Sequence, residues 1–127
     1  MVDLYNLIKN DPCQLEFIED DQTNELCELA VSLDGSTLEY VVNQTEKICE
    51  IAVMEYGFAL RHVKNQTYNI CKLALAQNPQ SFKFVKNKTF ELCKIALSLD
   101  KSLLDCVNKD TLLINEYDEL VNIATSN

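Results

Sequence analysis

The sequence predicts an all-α protein, and two observations carry that prediction. Gly and Pro number only two each among 127 residues, while 47% of the residues are apolar. Such a chain has too few chain-breaking residues for a β-rich fold but enough apolar surface for a core. The second observation is a 22-residue repeat that runs through four copies without insertion. A short fixed period indicates stacked units, so we predict an α-solenoid of two-helix repeats with a closing C-terminal helix.

The repeats form one domain between two variant ends. The N-terminal variant copy, 1–21, is in register because Leu4 and Leu7 stand 22 residues before equivalent leucines. Asp11 and Pro12 then resemble a helix start, with Asp as the N-cap and Pro in the first turn. As the first unit of the domain, this copy should have a more polar outer face than the interior copies. The four regular copies occupy residues 22–43, 44–65, 66–87 and 88–109.

Each regular copy predicts a longer helix that begins at a threonine, whose hydroxyl can cap the first turn. At three of these starts an asparagine two residues earlier is a rival cap, so the boundary stays open. The threonines are Thr23, Thr45, Thr67 and Thr89, and the rivals are Asn43, Asn65 and Asn87. The first of these helices has its apolar stripe at Leu26, Leu29, Ala30 and Leu33. Cys27 and Val31 widen that stripe, which indicates a helix packed on two sides.

A shorter second helix is predicted after a break such as Asp34-Gly35, where glycine can end the first helix in the left-handed region. Alternation such as Phe82-Lys83-Phe84 is also compatible with a strand, but seven residues repeated beside a longer helix favour a helix. The predicted core positions are Leu38, Leu60, Phe82, Leu104, Val41, Val63, Val85 and Val107. A third, half-buried set comprises Tyr40, His62, Phe84 and Cys106.

The last segment, 110–127, departs from the pattern and predicts one amphipathic closing helix. Thr111 falls at the capping position, and Asn115 replaces the repeated cysteine. The apolar stripe of this helix contains Leu113, Ile114, Tyr117, Leu120, Val121 and Ala124.

Four of the six cysteines occupy one repeat position, which predicts buried thiols. Neighbouring helices lie about 8–10 Å apart, whereas a disulfide needs Cα atoms within about 7 Å. No CxxC or Cys/His cluster is present, so we expect neither a metal nor a cofactor. Reduced thiols and the lack of a secretory signal predict a cytoplasmic protein. The four cysteines are Cys27, Cys49, Cys71 and Cys93.

The repeat resembles a known family. Its longer helix follows T-x-x-(I/L)-C-x-(I/L)-A-(V/L), then a Gly or Asn-Pro turn and (A/S/T)-(L/F)-x-(Y/H/F)-V-x-N. This pattern resembles the short α-helical tandem repeats of unknown function that are abundant in mimivirus-like giant viruses. The resemblance covers about residues 22–109, with weaker copies at both ends. It implies expression in the reducing cytoplasm of a host cell, and that family has no shared catalytic or binding residues to carry over.

Charge is unevenly distributed along the chain. Residues 1–60 carry 13 acidic and 2 basic side chains, whereas residues 61–109 carry 9 basic and 3 acidic ones. Within the second block, basic residues recur at equivalent repeat positions and should form a strip along the ends of the shorter helices. This basic strip comprises Arg61, Lys64, Lys83, Lys86 and Lys88.

We interpret the chain as a non-catalytic protein–protein interaction module whose basic strip contacts an unidentified protein partner. Self-association into a homo-oligomer through its acidic and basic halves is the structural alternative, and weak phosphate or nucleic-acid binding is a third. The interpretation that assigns no function to the same strip is an ordinary solvated face. The net charge of −9 disfavours nucleic acid, and no apolar stretch is long enough to enter a membrane.

An enzyme is not expected. The single histidine, His62, stands in a set of packing residues, and the repeated cysteines are placed for burial. The carboxylates fall on the polar strip of the longer helices, where general acid catalysis lacks the concave site that it needs. Those carboxylates are Glu25, Glu28, Glu46 and Glu50.

Overall fold

The computed structural model describes residues 2–126. Met1 and Asn127, at the outer ends of the predicted variant copy and closing segment, lie outside the described residues. Over 2–126 the chain is all-helical and contains no strand. Its α-helices are α1 (Leu4–Asn10), α2 (Asn24–Leu33), α3 (Glu46–Glu55), α4 (Tyr68–Gln77), α5 (Phe90–Leu99) and α6 (Ile114–Thr125). Its 3-10 helices are η1 (Pro12–Phe17), η2 (Glu19–Asp21), η3 (Gly35–Tyr40), η4 (Gly57–His62), η5 (Pro79–Phe84), η6 (Lys101–Cys106) and η7 (Lys109–Thr111).

The four longer helices α2 to α5 begin at the predicted threonines. Each threonine Oγ1 accepts a hydrogen bond from the backbone N–H three residues later, at 3.1 to 3.3 Å. The bond satisfies one of the N–H groups that a first turn leaves unpaired. The prediction of threonine caps is confirmed, and the rival asparagines lie in the bends before them.

The shorter elements are helical, as expected, but they are 3-10 helices of six residues. The side chains of Asp34, Asn78 and Asp100 accept a hydrogen bond from the N–H two residues later, which starts each of these helices. The first such cap, Asp11 before Pro12, is in its predicted place. A strand is therefore the wrong reading of these segments.

The glycines serve close packing and not a left-handed turn. No glycine in the described chain has a positive φ, so that part of the prediction is wrong. A Cβ on Gly57 would lie 2.6 Å from the Ser81 hydroxyl and 2.9 Å from the Ala74 carbonyl oxygen. A Cβ on Gly35 would likewise overlap the Ala52 carbonyl oxygen. Glycine is required where the start of one 3-10 helix meets the end of the next α-helix.

The core follows the predicted repeat positions. The repeated cysteines are buried, with 0 to 3% of their surface exposed, and all six cysteines are free thiols. The predicted leucine, phenylalanine and valine positions are buried in the first three copies, and the third set is half-buried as expected. In the last copy Leu104 and Val107 are only half-buried, and Leu103 fills the core instead.

Helices contact one another in chain order. Each α-helix from α1 to α6 packs against the next α-helix, and η1, η3, η4, η5 and η6 do the same in their own row. Each of η1, η3, η4, η5 and η6 also packs against the α-helix before it in the chain. No helix within 2–126 is both long enough and apolar enough to cross a lipid bilayer.

Both ends differ from the sequence-based expectation. The expected polar outer face of the first copy is wrong, because Val2, Tyr5 and Phe17 are 67%, 55% and 73% exposed. At the other end, Thr111 does not cap the last helix. Its hydroxyl instead donates to the Asn108 carbonyl within the extra 3-10 turn η7.

That extra turn delays the start of α6. Leu113 therefore occupies the N-cap, where its side chain offers no hydrogen-bond acceptor. Leu113 and Ile114 are 66% and 85% exposed, so the predicted apolar stripe is wrong at its first two positions. Leu120 is the one described residue of α6 that is fully buried.

Candidate interaction surface

The bends between each 3-10 helix and the next α-helix lie side by side, and we call residues 42–45, 64–67 and 86–89 the loop edge. Consecutive bends enclose shallow depressions of about 260 and 280 Å³. A third depression, of about 470 Å³, lies between the last of these bends and residues 108–112. Three α-helix N-termini open onto this edge, so it combines backbone N–H groups with the basic side chains of the loops.

A glutamine at the first position of a copy ties the α-helix to the bend that ends the same copy. Gln44 Nε2 donates to the His62 carbonyl at 2.7 Å, and Gln44 Oε1 accepts from the Lys64 N–H at 2.9 Å. The same oxygen accepts from the Cys49 thiol at 3.6 Å. Gln22 and Gln66 make the equivalent bonds in their own copies.

We call these three side chains the glutamine bridges. Gln22 and Gln66 also donate to the carbonyl of Leu15 and of Leu60, which belong to the preceding copy. The bridges therefore join neighbouring copies as well as the two parts of one copy. The sequence carried a signal for them, a polar residue repeated every 22 positions, but it did not show what the glutamines bind.

Lys88 stands where the fourth glutamine would be. Its ammonium donates to the Val85 carbonyl at 2.9 Å and lies 5.3 Å from the centre of the Phe82 ring. It is half-buried, so less of its charge is available to a partner than at the other positions of the basic strip. Cys93 correspondingly donates to the backbone carbonyl of Lys88 and not to a side chain.

The other four residues of the basic strip are exposed. Arg61 and Lys83 lie on the consecutive helices η4 and η5, and the Arg61 guanidinium is 6.0 Å from the centre of the Phe84 ring. Lys64 and Lys86 lie in consecutive bends of the loop edge, and their ammonium groups reach the Val42 and Val63 carbonyls at 3.5 and 3.3 Å. Arg61 and Lys83 thus lie on neighbouring 3-10 helices, and Lys64 and Lys86 lie in neighbouring bends.

Within residues 2–126, none of these five basic side chains forms an ion pair. The ion pairs there are Lys47–Glu28 and Lys94–Glu91, each at 3.4 Å, and both lie on the α-helices. The ammonium groups of Lys64, Lys86 and Lys88 also keep donors beyond the one carbonyl that each contacts. The strip therefore presents basic side chains without a direct ion pair in this part of the chain, although Lys64 lines one depression with Glu16 and Glu39.

The groups that carry most enzyme chemistry are placed for packing. Burial raises the pKa of the Cys93 thiol to about 11 and also raises the pKa of Cys71. Burial lowers the pKa of His62, and Arg61 lowers it further while Glu39 opposes the change. The Cys71 and Cys93 thiols therefore stay protonated near neutral pH, whereas only the deprotonated thiolate acts as a nucleophile. The part of the chain that the structure describes also lacks a cluster of three His, Cys, Asp or Glu side chains able to hold a metal.

The fold and this surface define an all-helical protein with a basic edge on an acidic chain. Comparisons of the chain with protein-family models, with curated proteins and with solved structures found no match in any of the three. Function is therefore inferred from the contacts and charges described above.

Proposed function

We propose that the chain is an α-solenoid and that it acts as a non-catalytic protein–protein interaction module. The 22-residue period and the chain-order packing of both rows of helices support the solenoid. Repeat arrays of this kind bury a continuous core between neighbours and leave an extended surface for partners. The buried, protonated thiols fit a binding protein better than an enzyme.

The observation that carries the proposal is the unpaired positive charge of the basic strip. In a chain with a net charge of −9, none of the five basic residues of the strip forms an ion pair within residues 2–126. Charge of this kind steers a complementary partner and selects it against others. We therefore assign an acidic protein segment as the partner and the loop edge, with its basic side chains, as its binding surface.

The proposed location is a reducing cytoplasm. The free cysteines support it, because four of them are buried side chains whose oxidation would disrupt the core. If the giant-virus repeat family is the right origin, this is the cytoplasm of the host cell.

The test measures binding of a fluorescent glutamate-rich peptide by the full chain at low and at physiological salt. We expect binding that weakens with salt and falls at least about tenfold in a Lys64→Glu/Lys86→Glu variant. The matched control is Lys9→Glu/Lys72→Glu, which makes the same charge change at exposed lysines of α1 and α4. Thermal unfolding of both variants checks that they remain folded.

Measuring the binding of a single-stranded RNA of similar charge distinguishes a nucleic-acid partner from an acidic protein partner. Preference for the peptide supports the proposal, whereas tighter RNA binding that depends on Lys64 and Lys86 would replace it with nucleic-acid binding. Equal loss of peptide binding in the control variant would reduce the basic strip to an ordinary solvated face.

A further inference from the structure

The 3-10 helices carry a second ordered set of charges. Because a 3-10 helix has three residues per turn, positions three apart lie on the same face. The exposed face of each short helix carries one charged residue at the same place. In chain order these residues are Glu16, Glu39, Arg61 and Lys83, which we call the charge row.

The charge row is a physical row because its helices contact one another in order, η1 with η3, η3 with η4 and η4 with η5. Glu16 and Glu39 line one depression of about 330 Å³ together with Glu19, Tyr40 and Lys64. All four charged side chains are exposed, and no ion pair within 2–126 involves them. The order of charges from η1 to η5 is therefore negative, negative, positive, positive, and Asp105 adds a negative charge at the same place on η6.

This order is self-complementary under a two-fold rotation. An axis between Glu39 and Arg61 reverses the row of a second copy, so that each acidic residue faces a basic one. We propose that a second copy of this chain docks on the 3-10 helices in this antiparallel register, with Glu16 facing Lys83 and Glu39 facing Arg61. Asp105 continues the row on η6 and lies beyond the part that pairs.

Aromatic side chains beside the row supply apolar surface to the same interface. Phe17, on η1, is 73% exposed, and Tyr40, His62 and Phe84 are half-buried at the equivalent place on the next three helices. Aromatic residues are enriched in protein interfaces, and homodimer interfaces are more apolar than the average surface. An exposed phenylalanine at one end of the row also explains why the first copy lacks the polar outer face expected of it.

The inference rests on the proposed function, since it makes a second copy of the chain one partner of the same module. It shares Arg61 and Lys83 with the basic strip, and Lys64 borders the depression that Glu16 and Glu39 line. Lys86 lies in the next bend of the loop edge, outside that depression. The two proposals can be tested separately because self-association and peptide binding are different measurements.

The test is sedimentation velocity of the purified full chain at 20 mM and at 500 mM salt. We expect a dimer at low salt that dissociates at high salt, and at least about tenfold weaker self-association in Glu39→Arg and in Arg61→Glu. The double variant Glu39→Arg/Arg61→Glu restores opposite charges across the axis, so its affinity should return to within about threefold of the wild type. Glu25→Arg and Lys72→Glu are controls with the same charge changes on α2 and α4.

Restoration in the double variant is the decisive result, because binding to an unrelated acidic partner would remain lost when Arg61 is reversed. A wild-type chain that stays monomeric at low salt and high concentration would overturn the inference. So would a dimer that none of the charge changes weakens, or a double variant as weak as the single ones. These outcomes leave peptide binding through Lys64 and Lys86 untouched, so failure here is distinct from failure of the proposed function.

Discussion

The three copies that begin with glutamine and the one that begins with lysine differ in the hydrogen bonds between the first residue of the copy and the bend at its end. Gln44 donates and accepts at once, so it holds both the carbonyl of residue 62 and the N–H of residue 64. An ammonium only donates, and Lys88 bonds to Val85 instead. Among the hydrogen bonds within 2–126, none links the Lys88 side chain to residues 106–108. A half-buried polar bridge, and not apolar burial alone, therefore specifies how each copy that begins with glutamine ends.

A second difference, between the first two regular copies and the last two, lies at the glycines. The Gly35 and Gly57 N–H groups donate to a side-chain oxygen of the next α-helix, Glu55 and Gln77 respectively. At the equivalent positions stand Pro79, which has no N–H, and Lys101, which is exposed. The first two regular copies therefore contact the next α-helix through a glycine backbone, and the last two lack this contact.

The largest effect expected from this difference is that of a charge placed in the cysteine position. Cys71 is 3% exposed, so Cys71→Asp would bury a carboxylate among apolar side chains and should destabilise the fold by about 3–5 kcal/mol. Asn115 occupies the same repeat position in α6 but is exposed, so Asn115→Asp should change the unfolding free energy by less than about 0.5 kcal/mol. Urea unfolding measures both, and a Cys71→Asp protein as stable as the wild type would contradict the assigned core.

Gly57→Ala should have the next largest effect. The added methyl group would lie 2.6 Å from the Ser81 hydroxyl and 2.7 Å from Gln77 Oε1, so the contact between copies must open. Overpacking of this kind costs about 1–3 kcal/mol. Lys101→Ala, at the equivalent exposed position, is the control and should cost less than about 0.5 kcal/mol. Thermal melting of the two variants compares them, and equal melting temperatures would show that the glycine contact is not needed.

The sequence predicted those parts of the fold that depend on local pattern. The threonine caps, the buried cysteine position and the half-buried set with Tyr40 and His62 are all confirmed. These features follow from which side chains recur and how large or polar they are. The sequence did not predict that the shorter helices are 3-10 helices, because six residues are too few to distinguish a period of 3.0 residues per turn from one of 3.6.

Features that depend on contacts between residues far apart in the sequence could not be predicted from local periodicity. Gln44 binds residues 18 and 20 positions away, and Gly57 approaches residues of the next copy, so neither role appears in local periodicity. The start of α6 was predicted wrongly because Asn108 caps an additional turn that takes up Thr111. For the candidate site, the basic strip stays a prediction from the sequence, and only the structure shows that Lys88 is half-buried and that no ion pair within 2–126 involves the strip.

The glutamine bridges can be removed at one copy and created at another. Gln44→Ala leaves the His62 carbonyl and the Lys64 N–H without their partner and should cost about 2 kcal/mol. Lys88→Gln restores an amide at the fourth position and should stabilise the fold by up to about 1 kcal/mol. Hydrogen exchange of the Asn108 N–H, with urea unfolding, is the measurement. Greater protection of that N–H in Lys88→Gln would confirm a fourth bridge, and unchanged protection would show that the bridge needs more than the amide.

The smallest expected effect concerns the start of α6, the helix with the weakest cap. The Glu116 carboxylate already accepts from the Leu113 N–H at 3.0 Å, which is one half of a capping box. Leu113→Ser would add the other half, because the serine hydroxyl can accept from the Glu116 N–H, and it removes an apolar side chain that is 66% exposed. The change should stabilise the fold by about 0.5–1 kcal/mol. Leu113→Ala separates the two contributions, since it removes the leucine without supplying a cap. Equal stability of the serine and alanine variants in urea unfolding would show that the hydroxyl makes no cap.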